Sequence, residues 1–414
     1  MTHSHEDMLW RDAAVDHGLG HRETMLGAVE TETVPLDRIG GRILAESIVS
    51  ERDVPAHDHA TMDGYAFDAS EEYPFDLVDR EQFPEDDPGS IEPGQAVRIA
   101  TGAPLPAGAN AVLKQEEATV EDGKLHGAAT EPGTYTYEQG SNLAAGDQLF
   151  EPGERLSPKD AILLGDIDRE EVTVHERFSA AVLATGTEIH EGTIPDLDSP
   201  MLAGLVRTWG HEATYEGTVP DEYDRVESTI DSLASEYDIV LTTGGTSVGP
   251  KDYVVRALEE LGEVVFHRVR IRPGKPIALA HLPDHEAVVF AIPGKPIGAH
   301  TISTLVMRPF FVGHDHLPTV PATFARDVTL GPDGFDYAIP VTLEPGDRSG
   351  EGSGGHTAMP LGHQDSALSV YDEQFDPSVL SSSSRASRAD GFVITRSALD
   401  AGEEVPVVPY AGLE

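Results

Sequence analysis

The sequence has no cysteine and no long apolar segment. Without cysteine among its 414 residues, the chain cannot form a disulfide, a thiolate metal site or a cysteine nucleophile. No apolar run approaches the ~18 residues of a membrane span, and the acidic first residues lack the apolar core of a signal peptide. We therefore expect a cytoplasmic protein that has no membrane partner.

Positive charge is also scarce. The chain has 73 acidic and 28 basic residues, a formal net charge of −45, and only six lysines. Such a negative field repels phosphate backbones and anionic headgroups, so nucleic acid and acidic membranes are poor partners. Concentrated salt screens self-repulsion, because the Debye length is only ~3 Å at 1 M. We interpret the acidity as halophilic adaptation to a salty cytoplasm.

The length is sufficient for roughly two to four domains, and 39% hydrophobic residues exclude overall disorder. Residues 1–52 are predicted to be helical, because apolar residues recur at three- and four-residue spacing over Pro35–Ala45. Residues 53–145 have Gly and Pro between short apolar runs, which predicts a small β domain. Residues 146–178 include a predicted helix at Pro158–Leu164 and are expected to pack back on the first segment.

Residues 179–312 alternate between predicted strands and helices. This βαβ series predicts an α/β domain with a mostly parallel sheet that is covered on both faces. The predicted strands are 180–184, 212–217, 238–241, 277–280 and 287–292, and the predicted helices are 201–209, 223–233 and 253–261. Residues 320–414 return to short strands, which predicts a small all-β domain with flexible loops at Gly346–Gly355 and Ser381–Ser384.

Three loops rich in glycine or proline follow predicted strands of the α/β domain, at 185–188, 242–249 and 293–296. Ligands of open α/β sheets bind outside the carboxyl ends of the strands, where glycines let backbone N–H groups approach an anion. Each loop alone is as consistent with an ordinary turn, but the three together favour an anion site. Its candidate residues are Thr185, Gly186, Glu188, Gly244, Gly245, Thr246, Ser247, Gly249, Pro293 and Gly294.

Three of the six lysines, Lys251, Lys275 and Lys295, lie in or beside these loops. In a chain with so few lysines, such a cluster favours anion binding, and Arg270 and Arg272 are close to it in sequence. The alternative is a set of surface ion pairs, each worth about 0–1 kcal/mol.

Four carboxylates are candidate Mg²⁺ ligands, since Mg²⁺ takes one or two carboxylates together with ligand phosphates. Asp252 follows the second loop, Glu188 follows the first predicted strand, and Asp58 and Asp63 lie in 56–65. In a chain with 73 acidic residues, any one carboxylate is more often only a solvated surface group.

Two histidine pairs, in His57-Asp58-His59 and His314-Asp315-His316, lack a third ligand at metal spacing. This argues against a transition-metal site. A Ser-His-Asp hydrolase is equally unsupported, because the chain has no nucleophile-elbow pattern.

Four motifs of the chain are specific in their order and spacing. They are Thr61-Met62-Asp63-Gly64-Tyr65-Ala66, Arg98-Ile99-Ala100-Thr101-Gly102-Ala103-Pro104-Leu105-Pro106, Thr243-Gly244-Gly245-Thr246-Ser247-Val248-Gly249 with Asp252-Tyr253, and Pro273-Gly274-Lys275-Pro276. Together they resemble the motifs of the molybdopterin molybdenumtransferase family, the MoeA type that includes the C-terminal domain of gephyrin. The likeness runs from about residue 25 to the end.

The resemblance implies a multidomain fold of α/β and β parts. The domains would be an elongated, discontinuous N-terminal domain of helical and mixed structure (1–52 and 146–178), an inserted small β domain (53–145), an α/β molybdopterin-binding domain (179–312) and a C-terminal β-barrel (320–414). It also implies a homodimer, with the cleft between the α/β domain of one subunit and the β domain of the other. Molybdopterin adenylyltransferase and molybdoenzyme-maturation proteins are the expected partners.

The implied reaction is insertion of molybdate into adenylylated molybdopterin with release of AMP and with Mg²⁺ as cofactor. Tungstate is an equal candidate, because the two oxyanions share their charge and nearly their size. In this interpretation Lys275, Lys295 and the loop at 244–249 hold phosphate or oxyanion. Asp252, Asp58 and Asp63 orient the metal or the attacked phosphate, with Asp252 and Glu188 as metal ligands.

The chain departs from the family pattern at four places. Ser141 and Asn142 replace an acidic pair, Pro200 and Lys295 each replace Asn, and Asn110 replaces Asp. We expect the fold and pterin binding to survive these changes more easily than catalysis. A non-catalytic molybdopterin-binding or carrier paralogue is therefore the alternative. A nucleotide-pyrophosphate hydrolase on the same α/β domain is a weaker one, which the motif Met62–Tyr65 opposes.

Overall fold

The computed structural model describes residues 8–246, 253–346 and 355–414. These residues form two compact units. The large unit contains the described residues of 1–32, 40–42 and 175–414, and the small unit contains 33–39 and 43–174. The domain boundaries expected from the sequence are finer than this division and remain predictions.

A six-stranded sheet forms the β domain of the small unit, as its Gly- and Pro-punctuated sequence predicts. Its strands, in spatial order, are Ala111–Lys114, Gly64–Phe67, Gln95–Ile99, Phe75–Gln82, Lys124–His126 and Thr119–Glu121. The third and fourth are parallel, and the other neighbours are antiparallel. Apolar side chains alternate between two cores, with Ala66, Val97 and Val112 in one and Phe67, Ala96 and Leu113 in the other.

Shorter elements make up the rest of the small unit. Apolar residues from 34–48 and 150–174 share one core, so these two segments pack together. The elements are the strands Ile48–Val49, His59–Ala60, Thr136–Tyr137 and Gln148–Phe150, the helix Asp160–Asp166, and the bordering strands Thr31–Pro35 and Glu171–His175.

The helical prediction for residues 1–52 is largely wrong. A helix spans Arg11–Leu26, but Leu36–Arg38 is a single 3₁₀ turn and the following residues are irregular or extended. Gly41 has a φ of +78°, which an α-helix does not allow, so the apolar spacing of Pro35–Ala45 marks burial in an irregular segment.

A six-stranded, mostly parallel sheet forms the α/β part of the large unit, as predicted. Its strands, in spatial order, are Glu212–Val219, Ser179–Thr185, Ile239–Thr243, Ala287–Ile292, Ala278–Leu282 and Glu263–His267. The first four are mutually parallel, and the fifth is antiparallel to both of its neighbours.

Helices cover this sheet. They are Arg11–Leu26, Thr187–His190, Asp198–Thr208, Tyr223–Ala234, Tyr253–Leu261, Pro296–Ile302 and Arg308–Val312, with a π-helical turn at Ser303–Met307 between the last two. Sequence reasoning missed the helical segment 296–312, because nearly all of its residues are buried and no amphipathic period is visible. Within the described ranges, no helix is both long enough and apolar enough for a membrane span.

The C-terminal part of the large unit is a closed five-stranded barrel, which confirms the predicted β-barrel. Going round the barrel, its strands are Asp336–Pro345, His356–Pro360, Val320–Phe324, Glu404–Pro409 and Gly391–Thr395, the last of which pairs again with the first. The short strand Ile271–Arg272 pairs in parallel with Asp336–Pro345. This pairing places the segment before Lys275 beside the barrel.

The predicted flexible loop at Ser381–Ser384 is wrong. Ser381 is 3% exposed and follows the helix Pro377–Leu380, and Ser384–Arg388 is a 3₁₀ helix. The other predicted flexible loop, Gly346–Gly355, lies almost entirely outside the described residues. The strands Gly362–His363 and Ser369–Tyr371 complete the C-terminal part.

Candidate active site

Three predicted loops meet at one edge of the α/β sheet. The three strands that precede them are parallel and lie side by side, so their carboxyl ends share that edge. Thr185 Oγ1 donates a hydrogen bond to the Thr243 carbonyl at 2.9 Å. The Gly244 N–H donates to the Ile292 carbonyl at 2.9 Å. The starts of the three loops are therefore tied together.

Gly244 lies where these loops approach most closely. Its φ is +88°, and a Cβ there would lie 2.8 Å from the Thr185 carbonyl oxygen. On its other side, a Cβ on Gly294 would lie 3.2 Å from Gly244 Cα. Only glycine at 244 allows this packing without a shift of the backbone.

A pocket of about 500 Å³, which we call the basic pocket, opens beside these loops. Three cationic side chains, Arg272, Lys275 and Lys295, line it, and no carboxylate does so among the residues that the structure describes. The remaining lining residues are Gly244, Gly245, Thr246, Pro273, Gly274, Pro276, Pro293, Gly294, Gly298, Pro377, Ser378 and Ser381. In a chain of net charge −45, a local excess of positive charge favours an anionic ligand.

Lys275 is half-buried in this pocket. Burial lowers the pKa of its ammonium group, and the neighbouring positive charges of Arg272 and Arg268 lower it further. Both effects disfavour the charged form of Lys275. A bound anion would favour the charged form and raise this pKa again. The pocket is therefore suited to a ligand that carries negative charge.

Lys295 connects the loop after the fourth strand to the barrel. Its Nζ donates to the Ser378 carbonyl at 3.0 Å, and the Ile297 N–H donates to the Ser381 carbonyl at 3.0 Å. Sequence reasoning missed Ser378 and Ser381 as lining residues. Nothing in their local sequence marks them, because they reach the pocket only through contacts between residues 295–297 and the segment at the helix Pro377–Leu380.

Glu188 is the predicted metal ligand that the structure describes at this edge. Its side chain is exposed, and its carboxyl carbon lies 3.5 Å from the place that a Cβ on Gly186 would take. No three His, Cys, Asp or Glu side chains converge as a metal site within the described ranges. One open carboxylate fits Mg²⁺ that takes its other ligands from phosphate oxygens and water.

Asp58 and Asp63 belong to the small unit, and backbone groups hold both carboxylates. Asp58 Oδ1 accepts the Gln139 N–H at 2.7 Å. Asp63 Oδ1 accepts the Thr101 hydroxyl and N–H, each at 2.7 Å, and these hydrogen bonds lower the pKa of Asp63. Asp63 thereby fixes the loop of the second family motif and stays ionised over a wide pH range.

The other predicted site residues, Ser247, Gly249, Lys251 and Asp252, lie outside the described residues. Of the loop at 242–249, Thr242 to Thr246 are described. Both threonines that end the strand before Gly244 are buried.

The departures at 141, 142 and 200 are accommodated locally. Ser141 Oγ donates to the Glu138 carbonyl at 2.6 Å. Asn142 Nδ2 donates to Asp166 Oδ2 at 2.7 Å. Pro200 lies in the first turn of a helix, where its missing N–H disrupts no helical hydrogen bond. Each residue therefore fits the fold without the family's usual side chain.

Neither histidine pair belongs to a group of three His, Cys, Asp or Glu side chains that could hold a metal ion in the described ranges. The rings of His314 and His316 are 6.4 Å apart, and neither belongs to a convergent group of three ligands.

Comparison with known proteins adds family matches over both units. A model described as "MoeA N-terminal region (domain I and II)" matches residues 13–167, and one described as "Probable molybdopterin binding domain" matches residues 181–312. The second match contains the three strands and the loops that border the basic pocket.

Named relatives match over most of their length. A molybdopterin molybdenumtransferase from Synechococcus elongatus is 32% identical over 301 residues, which are 68% of this chain and 75% of that protein. One from Haemophilus influenzae is 32% identical over 286 residues, 65% of this chain and 69% of that protein. A solved structure of the molybdopterin biosynthesis MoeA protein from Pyrococcus horikoshii is 27% identical, with a TM-score of 0.71 over 97% of this chain and 99% of that one. The chain belongs to the molybdopterin molybdenumtransferase family.

Proposed function

We propose that this protein is a transferase of molybdenum cofactor biosynthesis that inserts molybdate, or tungstate, into adenylylated molybdopterin and releases AMP. The basic pocket carries the proposal. It combines three cations with glycine-rich loops at the carboxyl edge of the sheet, inside the segment that matches the molybdopterin-binding model. The substrates of this reaction are anions, and such a pocket binds anions.

The cations of the pocket would position the substrates and neutralise their charge. Attack of an oxyanion on a phosphoanhydride brings like charges together, so positioning and electrostatic stabilisation should supply most of the rate. Lys275, Lys295 and Arg272 line the same pocket. Desolvation strengthens the attraction between Lys275 and an anion, because the low dielectric screens it less.

Mg²⁺ would supply further positive charge on the attacked phosphate. Glu188 offers an exposed carboxylate for Mg²⁺. Asp252, which follows the loop at 242–249 in the sequence, is the second expected ligand. Asp58 and Asp63 are proposed to contribute from the small unit of the partner subunit in a homodimer. The domain boundaries, the cytoplasmic location and the partners expected from the sequence belong to the same proposal.

Local structure favours the enzyme over a carrier that has lost insertion activity. Lys295 and Asn142 replace the family's usual residues, yet each makes a hydrogen bond that fits its surroundings. Lys295 also adds charge to the pocket rather than blocking it. The two transferases described above are named for the activity that we propose here.

The test is AMP release from adenylylated molybdopterin with molybdate or tungstate in concentrated salt. Lys275→Met keeps the apolar stem and removes the charge, so we expect the affinity for the anion to fall by about tenfold or more. Lys159→Met, at an exposed lysine in the small unit, is the matched control and should behave as the natural protein. A natural protein that binds molybdopterin but releases no AMP would establish the carrier instead.

Asp252→Asn separates binding from chemistry. If Asp252 holds the metal against the phosphate, the variant should keep its ligand affinity within about tenfold and release AMP about a hundredfold more slowly. Unchanged turnover would reduce Asp252 to an acidic residue that favours the start of the helix Tyr253–Leu261.

A further inference from the structure

The large unit contains a second cavity of about 420 Å³, which we call the acidic cavity. Its walls come from the start of the helix Asp198–Thr208, the helix Pro296–Ile302 and the last residues of the chain. Asp198 and Glu414 supply carboxylates, and no lysine or arginine lines the cavity in the described part of the chain. Its chemistry is therefore opposite to that of the basic pocket.

The two sites are neighbours across one helix. Lys295 and Gly298 line the basic pocket, whereas Ile297 and His300 line the acidic cavity. Residues of Pro296–Ile302 thus separate a site for negative charge from a site for hydrogen-bond donors. A ligand that spans both needs an anionic end and a donor end.

Asp198 has an unanswered hydrogen-bonding capacity in this cavity. The residue lines the cavity but is only 5% exposed, and its Oδ1 is buried without a hydrogen-bond partner, so a ligand reaches this oxygen only after the carboxylate turns toward the cavity. Burial raises its pKa to about 6, and the charge of Asp196 contributes to the rise. A buried acceptor without a donor destabilises the folded protein, so a ligand that donates to Asp198 relieves that cost.

The other walls suit a flat ring. Met201 and Ile297 present apolar side chains, and the Tyr410 ring meets the His300 ring edge-on at 4.7 Å. His300 Nε2 pairs with Glu414 Oε1 at 2.7 Å, whereas the buried Asp198 Oδ1 has no hydrogen-bond partner. The cavity therefore offers apolar contact for an aromatic ring and one carboxylate for its polar edge.

We infer that the acidic cavity is the subsite for the pterin ring, and that the Asp198 carboxylate turns toward the bound ring and accepts hydrogen bonds from its 2-amino group and N3–H. These two donors are adjacent and coplanar, so one carboxylate can accept both, as it does from arginine. The anionic part of the same molecule then lies at the basic pocket. This inference rests on the proposed function, since it assigns one end of that substrate.

The test compares two ligands that differ at one group. Pterin (2-amino-4-oxopteridine) carries the 2-amino donor, and lumazine (2,4-dioxopteridine) replaces it with an acceptor. We expect the natural protein to bind pterin at least about tenfold more tightly than lumazine in a fluorescence or calorimetric titration. Asp198→Asn should reduce this preference to about threefold or less, because its amide presents a donor to the ring's donors.

Three further measurements keep the result interpretable. Asp224→Asn, at an exposed acid of the helix Tyr223–Ala234, should keep the full preference. Met201→Trp should fill the cavity and abolish pterin binding. Both Asp198→Asn and Met201→Trp should still bind molybdate at the basic pocket, which shows that they are folded.

Two results would overturn the inference: equal binding of the two pteridines by the natural protein, or an undiminished preference in Asp198→Asn. If AMP release is normal in either case, the proposed function stands and only the subsite is wrong. If the preference depends on Asp198 but no AMP is released, the subsite stands and the transferase proposal fails.

Discussion

Asn110 joins two parts of the small unit through both ends of its amide. Its Nδ2 donates to Asp68 Oδ1 at 2.6 Å, and its Oδ1 accepts the Ala69 N–H at 2.7 Å. The family pattern has Asp at this position, which would set two carboxylates at hydrogen-bond distance. Hydrogen bonds from Ser70 and Asn110 lower the pKa of Asp68, so its carboxylate is ionised at neutral pH. The Asn110 amide therefore suits a position next to the ionised Asp68 carboxylate.

Asn110→Asp should consequently destabilise the small unit at neutral pH by about 1 kcal/mol. The substitution replaces the amide that donates to Asp68 with a carboxylate that repels it, at a partly exposed site. The double variant Asp68→Asn with Asn110→Asp exchanges donor and acceptor and should recover most of the loss. Urea unfolding of the natural protein, both single variants and the double variant gives the coupling free energy. Additive effects of the two substitutions would contradict the contact.

Asp198 makes the stability of the ligand-free protein depend on pH. Its pKa of about 6 exceeds the ordinary value of 3.8, so the folded chain retains a proton that the unfolded chain releases. The contribution of Asp198 to stability is largest below about pH 4, falls as the pH rises to about 6, and is smaller by about 3 kcal/mol above that. Asp198→Asn removes this dependence and should be the more stable protein at pH 8 but not at pH 4. A pH-independent difference in unfolding free energy would refute the assignment.

At the scale of the element, the close approach of the three loops depends on glycine at position 244. Gly244→Ala would place its Cβ against the Thr185 carbonyl at a φ of +88°. We expect the variant to lose about 2–3 kcal/mol of stability and to bind molybdate more weakly, because the loop must move. Gly204→Ala is the matched control, since Gly204 is an exposed helical residue and a Cβ added there would have no atom within 4 Å. It should be neutral or stabilising by about 1 kcal/mol. Equal effects of the two substitutions in thermal unfolding would contradict this view of the edge.

The sequence predicts well an amphipathic helix and a short apolar run that is bounded by turns. The helix Tyr253–Leu261 and the strand Ala287–Ile292 lie at their predicted residues, because amphipathic spacing marks the first and a short apolar run between turns marks the second. The segment 296–312 was not predictable in this way, since burial on all sides removes the period. In Pro35–Ala45, irregular backbone buries Ile39, Ile43 and Leu44 at spacings that imitate a helix.

The candidate site divides in the same manner. The rule that ligands bind at the carboxyl ends of parallel strands predicts the meeting of the loops around Thr185, Gly244 and Gly294 from local sequence alone. The contact between Lys295 and Ser378 joins residues 83 positions apart and depends on where the tertiary fold places the helix Pro377–Leu380. Asp198 likewise became a candidate only because the fold buries it in a cavity that residues near the C-terminus also line. No local sequence pattern reveals this burial.

Across the whole molecule, the distribution of charge matters more than its total. The chain carries a net charge of −45, yet three cations and no described carboxylate line the basic pocket. At low ionic strength the surrounding negative field would weaken anion binding there, and surface carboxylates would repel one another. Salt screens both effects over a Debye length that falls from about 10 Å at 0.1 M to about 3 Å at 1 M. Salt should therefore aid both folding and substrate capture.

We expect an obligate dimer that loses structure when salt is removed. Between about 0.1 M and 1 M KCl the melting temperature should rise by about 10 °C, which corresponds to a few kcal/mol for units of this size. Sucrose at the same osmolality is the control, because it favours compact states without screening charge. Sedimentation along the same series should show the dimer at high salt and an unfolded chain at low salt. The halophilic interpretation requires salt to screen the repulsion between acidic residues, and the proposed active site requires two subunits. A compact monomer that is stable in dilute buffer would therefore contradict both.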